Sequence, residues 1–266
     1  VTSAELDFLI YVSKYQDNEG NVIGVYYKEL TKKLNFSNET FYVVKESLVK
    51  KGIISVTKNS YKDWDIRIID NSFMNEEDLK EGYINTNQDI FNDKEFYQLK
   101  VGEKLLILDL MKITYSNQGK WLIGITKFYD RYMERLGLTK KIIRGYLKSM
   151  KKFVLCSLRE RNYLIETLNK ILRKSGTQSE SKNYRYYLGK VMCRRLKVMA
   201  ADTDLKDVMD LSTQYKSYCS NPFELIEKAI IGSVETLNET VKNAKKWVRE
   251  LRPKLVHKLL KKEIYG

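Results

Sequence analysis

The chain has 266 residues, of which 43% are hydrophobic, enough for more than one buried core. Lys and Arg number 48 against 34 Asp and Glu, so the formal net charge is +14 and favours polyanionic partners. No apolar run reaches the roughly 18 residues of a membrane span, and no basic segment followed by an apolar stretch opens the chain, so we expect a cytoplasmic protein without membrane contact.

The charge is unevenly distributed along the chain. Residues 1–75 are neutral overall, residues 76–95 are acidic, and residues 96–175 hold 18 basic against 6 acidic residues. The basic surplus therefore begins where a second domain would start. The composition is rich in Lys, Asn, Ile and Tyr and has only two Pro, which is typical of AT-rich bacterial genomes and mobile elements.

The first 75 residues predict three helices and a hairpin. Residues 4–15 place Leu6, Leu9, Ile10 and either Val12 or Tyr11 at helical spacing, and the polar run QDNEGN ends that helix near Gln16. A second helix is predicted over Tyr26–Leu34 and a third over Asn38–Lys51. The third helix has Ser37 as N-cap, Gly52 at its end, and Phe41, Val44 and Leu48 on its inner face. Residues 54–57 and 65–69 are β-prone, and the polar run KNSYKDW between them is predicted to form the tip of the hairpin.

The same pattern recurs about one hundred residues later. A helix is predicted from about Val101, and the run SNQGK repeats the turn made earlier by DNEGN. Leu122-Ile123-Gly124 repeats Val22-Ile23-Gly24. A helix over about Thr126–Leu136 follows, and Thr139 is predicted to cap a third helix that runs to Phe153. Two β-prone runs, 154–158 and 163–168, flank a basic tip. A period this long indicates a duplicated domain rather than a solenoid repeat.

Each repeat resembles a winged helix-turn-helix domain, the fold of many bacterial transcription regulators and plasmid replication initiators. The resemblance covers about residues 1–72 and 97–170. It implies a mainly α (α+β) protein with two winged helix-turn-helix domains followed by a helical C-terminal domain. The alternative is a pair of ordinary helical bundles with hairpins, which the recurrence of both turn and hairpin disfavours. The predicted boundaries are 1–75 for the first winged helix-turn-helix, 76–95 for an acidic linker, 96–174 for the second, 175–183 for a polar linker and 184–266 for the C-terminal domain.

In such domains the third helix enters the major groove of double-stranded DNA, so its outward side chains are the candidate contacts. In the second repeat these are Lys140, Lys141, Arg144, Lys148 and Lys151, opposite the stripe of Ile143, Leu147 and Met150. Arg144 is the best candidate for guanine, because a guanidinium binds O6 and N7 together. In the first repeat they are Asn38, Thr40, Tyr42 and Lys45, a more neutral set. Hairpin residues Lys58, Lys62, Arg67, Arg159 and Arg161 are predicted phosphate or minor-groove contacts. Affinity is expected chiefly from the second repeat, although a solvated helix face is the alternative for any row of charges.

Residues typical of catalysis are scarce. The single histidine, His257, is remote from any carboxylate cluster and is predicted to lie at the surface, and no P-loop, GxGxxG or HExxH motif is present. The cysteines, Cys156, Cys193 and Cys219, lack the spacing of a zinc site and are predicted to be reduced core thiols. We therefore expect no enzymatic activity, no cofactor and no bound metal.

The C-terminal third predicts helices over Tyr184–Ala201, Asp204–Cys219 and Asn221–Ile231, the last with Asn221 as N-cap and Pro222 in its first turn. A final helix carries apolar residues at alternating steps of four and three. They are Ile230, Val234, Leu237, Val241, Ala244, Val248, Leu251 and Leu255. This stripe is either a coiled-coil seam for a homodimer or an intramolecular core face, and Pro253 within it should break the helix near Arg252.

Three roles remain open from the sequence. The first is an initiator of replication, or another DNA-processing factor, of a plasmid or mobile element. The second is a transcription regulator whose C-terminal domain dimerises or senses an effector. The third is a protein-interaction scaffold that has lost DNA binding, against which the basic third helix argues.

Overall fold

The computed structural model describes residues 1–60, 63–74, 93–117, 119–168, 177–218, 221–240 and 249–265. The fold is mainly helical with two small three-stranded antiparallel sheets, which confirms the expected α+β class. The chain forms two compact units, residues 1–175 and residues 176–266.

Two sets of elements in the first unit follow one another in the same order. The first set, here the first repeat, comprises α1 (Ser3–Ser13), β1 (Asn21–Tyr26), α2 (Tyr27–Leu34), α3 (Asn38–Lys50), β2 (Ile54–Ser60) and β3 (Asp63–Ile68). After the short helix α4 (Lys94–Gln98), the second repeat comprises α5 (Val101–Ser116), β4 (Lys120–Gly124), α6 (Ile125–Leu136), α7 (Lys140–Ser149), β5 (Val154–Arg159) and β6 (Asn162–Thr167). The sheets have the matching strand orders β1-β3-β2 and β4-β6-β5. The internal repetition predicted from the sequence is therefore present in the backbone.

Local turn signals place the ends of several elements as predicted. Gly20 and Gly119, just before β1 and β4, have φ angles of 81° and 86°, a left-handed conformation that favours glycine. Ser37 caps α3 by accepting a hydrogen bond from the Thr40 backbone N–H at 3.0 Å, and Gly52, also left-handed, follows its end. Thr139 occupies the N-cap position of α7, but its side chain makes no capping hydrogen bond there.

Strands β1 and β4 were not predicted, because each is a short apolar run next to a turn. They contain the two repeated segments that end in glycine. Gly24 adopts a φ of 71° at a bulge in β1 and donates its N–H to Asp65 Oδ1 at 2.7 Å. Gly124 ends a regular β4 and has a negative φ. The two matched glycines therefore differ in backbone conformation.

Two predicted boundaries were wrong in ways that affect the exposed surface. The hairpin of the first repeat has a shorter tip than expected, since β2 extends to Ser60 and β3 begins at Asp63. Trp64, expected in a polar tip, is only 3% exposed and packs against Phe41 at a ring-centroid distance of 5.4 Å. Helix α7 ends at Ser149 rather than Phe153, because the chain turns there to bring Phe153 into the core. Lys151 therefore follows the helix instead of lying on it.

The two repeats share α1. Its residues Phe8 and Val12 lie in the core of the first repeat, whereas Leu6 and Ile10 lie in the core of the second. The sequence predicted only one apolar face for this helix and did not include Phe8. A helix that is apolar on opposite faces is one that is buried on both, and here two cores supply the contacts.

A buried ion pair joins α1 to α5. Lys104 is fully buried, and its ammonium donates to the two carboxylate oxygens of Asp7 at 2.7 and 2.9 Å, to Ser3 Oγ at 3.1 Å and to the Tyr97 carbonyl at 3.0 Å. Burial raises the pKa of Asp7 even beside this ammonium. The pair ties the repeats together through a charge that has no access to water.

The part of the second unit that the structure describes contains four helices, α8 (Thr177–Arg195), α9 (Asp202–Gln214), α10 (Pro222–Thr240) and α11 (Pro253–Tyr265). Helix α9 packs against the other three. The prediction of a linker over residues 175–183 was wrong from residue 177 onward, because α8 begins there. A polar run without Pro is compatible with the solvated first turns of a helix. The capped start of α10 is confirmed, with the Glu224 N–H donating to Asn221 Oδ1 at 3.3 Å.

The continuous C-terminal helix is not observed. Residue Glu250 forms a parallel bridge with Met199, and a new helix begins at Pro253, the first-turn position at which proline costs no hydrogen bond. Of the proposed seam, Ile230, Val234 and Leu251 are buried within this unit, and Leu237 and Leu255 are half-buried. Val241, Ala244 and Val248 lie outside the described residues. A homodimer through this stripe has no structural support.

Candidate nucleic-acid interface

Helix α7 presents its basic side chains to solvent. Ile143 and Leu147 are buried in the core of the second repeat, and Met150 directly after the helix joins them. The five residues predicted to contact DNA from this helix are all exposed. They are Lys140, Lys141, Arg144 and Lys148 on α7, and Lys151 in the turn that follows. The amphipathic spacing therefore places an apolar face inward and a cationic face outward, as predicted.

Tyr129 on α6 holds two of these cations in place. Its ring is buried, and the Lys140 ammonium lies 4.8 Å from the ring centroid, a cation–π distance. Its hydroxyl lies 3.0 Å from the Tyr163 hydroxyl on β6. A hydrogen bond between Tyr129 and the Arg144 guanidinium raises the pKa of Arg144. Tyr129 and Tyr163 were not identified from the sequence, because a tyrosine at a core position gives no signal of which polar group its hydroxyl meets.

The basic residues around α7 divide into paired and unpaired sets. Arg131 and Arg135 on α6 both contact Asp109, the latter at 2.7 Å. Lys152 pairs with Asp93 at 3.1 Å and Glu95 at 2.9 Å, and these carboxylates raise its pKa. The outward set on α7 and Lys151 makes no ion pair with any described residue. Among the described residues around this helix, the charge that is free to meet an external anion therefore lies on α7 and in the turn that follows it.

The turn between β5 and β6 adds two cations. Arg159 and Arg161 are exposed on either side of Glu160, whose φ of 53° allows a two-residue turn. Glu160 is also exposed, so the tip carries one net positive charge. Arg159 ends β5 and Arg161 lies in the two-residue turn, which agrees with the predicted basic tip.

The first repeat differs from the prediction in two of its four helix contacts. Asn38 and Tyr42 are exposed. Thr40 is half-buried, and its hydroxyl lies 2.8 Å from Ser37 Oγ, so it supports the N-cap. Lys45 is half-buried, with its ammonium 5.3 Å from the Tyr42 ring centroid and 5.4 Å from that of Trp64. These aromatic contacts were not predicted, because Trp64 was expected at the hairpin tip. The hairpin cations Lys58 and Arg67 are exposed, and Lys62 lies outside the described residues.

The third helices of the two repeats can be compared residue by residue. Asn35 and Gly137 end α2 and α6 in the same left-handed conformation, and Ser37 and Thr139 are the N-caps of α3 and α7. The same spacing then matches Asn38 with Lys140, Glu39 with Lys141, Tyr42 with Arg144, Glu46 with Lys148 and Val49 with Lys151. Every cation in the second repeat's row is thus replaced in the first repeat by a neutral or acidic residue.

Residues that could support other chemistry are tied into the core. Cys156 and Cys193 are free thiols, and burial raises the pKa of each to about 11, so both are protonated at neutral pH. Cys219 lies outside the described residues. His257 was predicted to lie at the surface, but it is half-buried and its Nε2 lies 2.8 Å from the Tyr215 hydroxyl. Within the described ranges, no group of three His, Cys, Asp or Glu side chains is placed to hold a metal ion.

Comparison with known proteins gives no relative from which to assign a site. No protein-family model matches this chain, and no curated protein matches its sequence. Among the helices that the structure describes, none has the length and apolar character needed to cross a membrane.

Proposed function

We propose that this protein binds double-stranded DNA through a winged helix-turn-helix formed by its second repeat. Each repeat has the order helix, strand, two helices joined by a short turn, and a β-hairpin. In a winged helix-turn-helix domain that order places the third helix in the major groove and the hairpin beside the backbone. Helix α7 is the third helix of the second repeat.

The observation that carries the proposal is the unpaired cationic face of α7. Lysine and arginine side chains that neutralise phosphates displace condensed counterions, which provides most of the affinity of DNA-binding proteins. Cations already paired with carboxylates, such as Arg135 with Asp109, cannot contribute fully to that term. The exposed cations of α7 pair with no carboxylate among the described residues. The apolar side of the helix is held in the core of the second repeat.

Arg144 is the proposed base-reading residue. It lies in the second turn of α7, where side chains reach base edges, and Tyr129 on α6 lies beside its guanidinium. A preorganised guanidinium loses less conformational entropy when it binds guanine O6 and N7. Lys141, Lys148 and Lys151, together with Arg159 and Arg161 on the hairpin, are the proposed phosphate contacts.

A triple substitution tests the assignment of α7. A duplex is first enriched from a random pool with the wild-type protein and labelled for fluorescence anisotropy. Replacing Arg144, Lys148 and Lys151 by Ala should weaken binding by at least the roughly 1–3 kcal/mol of one bidentate base contact. The slope of log K against log salt should fall by about 0.9 for each phosphate contact removed.

Helix α11 provides a matched control, because Lys254, Lys258 and Lys261 are exposed on it with the same spacing as the α7 residues. Their replacement by Ala makes the same change in net charge. We expect this control to bind DNA with wild-type affinity within about twofold. If the α7 variant is folded by circular dichroism and binds as tightly as wild type, or if both variants lose affinity equally, α7 is not the DNA-binding helix.

The role of this binding stays a prediction from the sequence, which favours an initiator of plasmid or mobile-element replication. Iterated repeats beside the gene that compete with the selected duplex would support that role. Selected sites confined to a neighbouring promoter would support the transcriptional role instead.

A further inference from the structure

Helix α3 exposes three large apolar side chains on a surface that also carries charged residues, whereas the exposed face of α7 is cationic. Tyr42 is 37% exposed, Val43 58% and Val49 43%, all on a well-packed helix whose inner residues Phe41 and Leu48 are fully buried. Removing such side chains from water favours association with a partner. Of these three side chains, Val49 borders a groove in which a partner could bury it.

A groove of about 420 Å³ runs beside this face, between the second half of α3 and the β2–β3 hairpin. Its apolar side chains are Val49 from the helix, Val56 from β2 and Trp64 from β3. Its polar side chains are Lys45, Glu46, Lys50 and Lys58. The groove therefore combines an apolar floor with a rim of three cations and one anion.

The rim charges are available to a partner. Lys50 and Lys58 make no ion pair with any described residue, and the Lys45 ammonium lies over the neutral rings of Tyr42 and Trp64. A cation held over aromatic rings keeps its charge and is preorganised to receive a carboxylate. The rim thus favours acidic groups over basic ones.

DNA fits this face poorly. Glu39 and Glu46 are exposed on α3 at the positions that carry Lys141 and Lys148 in the second repeat. Carboxylates at those positions would repel the phosphates that the lysines attract. The exposed valines add apolar surface that a hydrated duplex backbone does not cover.

We propose that this groove docks an acidic amphipathic helix of a partner protein. Apolar side chains four residues apart on such a helix would contact Val49 and Val56, and the flanking carboxylates would reach the lysines of the rim. This inference concerns a surface other than α7 and does not depend on DNA binding by the second repeat.

Three labelled peptides test the chemistry of the groove. Each has about 15 residues, or about four helical turns. The first peptide carries Leu every third or fourth position among Glu residues, the second replaces Glu by Lys, and the third replaces Leu by Ser. We expect the full-length protein to bind the first peptide at least about tenfold more tightly than either of the others.

Charge reversal locates the site. Lys50→Glu with Lys58→Glu should weaken binding of the acidic peptide at least about tenfold, and Val49→Ser should weaken it through the apolar floor alone. The control is Lys254→Glu with Lys258→Glu on α11, which makes the same charge change outside the groove and should leave peptide affinity unchanged. Neither groove variant replaces a fully buried side chain, and circular dichroism checks that both fold.

Several outcomes would overturn the inference. They are failure of the acidic peptide to bind at about 1 mM, equal binding of the basic peptide, or equal weakening by the control pair. A further one is a loss of duplex affinity in the Lys50 and Lys58 variant that exceeds the loss in the control. That last result would assign the face of α3 to DNA, as the sequence predicted.

Discussion

Helices α3 and α7 begin at matched N-cap residues, Ser37 and Thr139, and each packs an apolar stripe against its own sheet. Their outer faces differ in nearly every residue. The buried stripe is constrained by close packing, in which a change of even one methylene alters stability. An exposed residue has few neighbours, and its replacement usually changes stability little. A duplicated fold can therefore keep one interior and acquire two binding chemistries, which for this protein we propose to be DNA on α7 and an acidic helix on α3.

The two repeats also share a hydrogen bond between the first helix and the third helix. Glu5 on α1 accepts a hydrogen bond from Ser47 Oγ at 2.6 Å, and Glu103 on α5 accepts one from Ser149 Oγ. Each glutamate also receives the N-cap backbone N–H of its own helix. The first helix of each repeat is thus attached to the end of the third helix by the same pair of residue types, and only Glu5 gains an ammonium partner, Lys51.

The largest expected effect comes from the ion pair that the repeats share. Asp7→Ala leaves the Lys104 ammonium buried without its carboxylate and should cost about 3–5 kcal/mol of unfolding free energy. The matched position in α5 is Leu105, which is exposed, so Leu105→Ala should cost far less. Urea denaturation measures both. A loss below about 1 kcal/mol for Asp7→Ala would mean that water reaches Lys104.

The pair of glutamates should give the next largest effect. Glu5→Gln removes a charged acceptor of three hydrogen bonds and should cost about 1–3 kcal/mol, more than Glu103→Gln, which loses no ammonium partner. Equal losses in urea denaturation at neutral pH would contradict the contribution of Lys51.

The cost of Glu5→Gln should also depend on pH. Although burial favours the protonated acid, the hydrogen bonds from Lys51, Ser47 and Thr2 lower the pKa of Glu5 from its ordinary 4.5 to about 2. The stability from this carboxylate is therefore complete above pH 4.5 and is lost as the pH falls towards 2. The difference between wild type and Glu5→Gln should shrink in that window, and a difference that is constant down to pH 2 would contradict the lowered pKa.

Grafting the cationic row onto α3 tests whether side chains alone separate the two surfaces. Tyr42→Arg, Glu46→Lys and Val49→Lys give the first repeat the residues found at the matched positions of the second. We expect duplex affinity to rise by about tenfold and the salt dependence to steepen by about 0.9 for each new phosphate contact. An unchanged affinity would mean that the first repeat cannot reach the duplex held by the second.

The smallest expected effect concerns the tyrosines that precede the two third helices. Tyr129→Phe keeps the ring beneath Lys140 but removes the hydroxyl beside Arg144, so discrimination between the selected duplex and a mismatched one should fall by about 0.5–1.5 kcal/mol. The salt slope should not change, because no phosphate contact is lost. Tyr27, the matched residue of the first repeat, packs edge-on against Trp64, and Tyr27→Phe should leave discrimination unaltered. Equal effects of the two substitutions would mean that the Tyr129 hydroxyl does not position Arg144.

The sequence by itself determined the features that depend on neighbours along the chain. The serine cap of α3, the glycines at the turns and the proline that starts α11 each act on a backbone group within a few residues. Helical spacing also predicted that Ile143 and Leu147 face inward and that the cations of α7 face outward, because that alternation follows from 3.6 residues per turn.

Only the tertiary structure decided which of those exposed charges are free and which polar groups are buried. Arg135 and Lys148 look alike in the sequence, yet Arg135 meets Asp109 from another helix and Lys148 meets no described carboxylate. Lys104 lies next to Glu103 in the chain, but its partner Asp7 is 97 residues away. From the sequence, Trp64 was predicted to lie in a polar tip, but in the folded sheet it packs against Phe41. Such contacts depend on packing between distant segments, and helical or strand periodicity carries no information about which segments will meet.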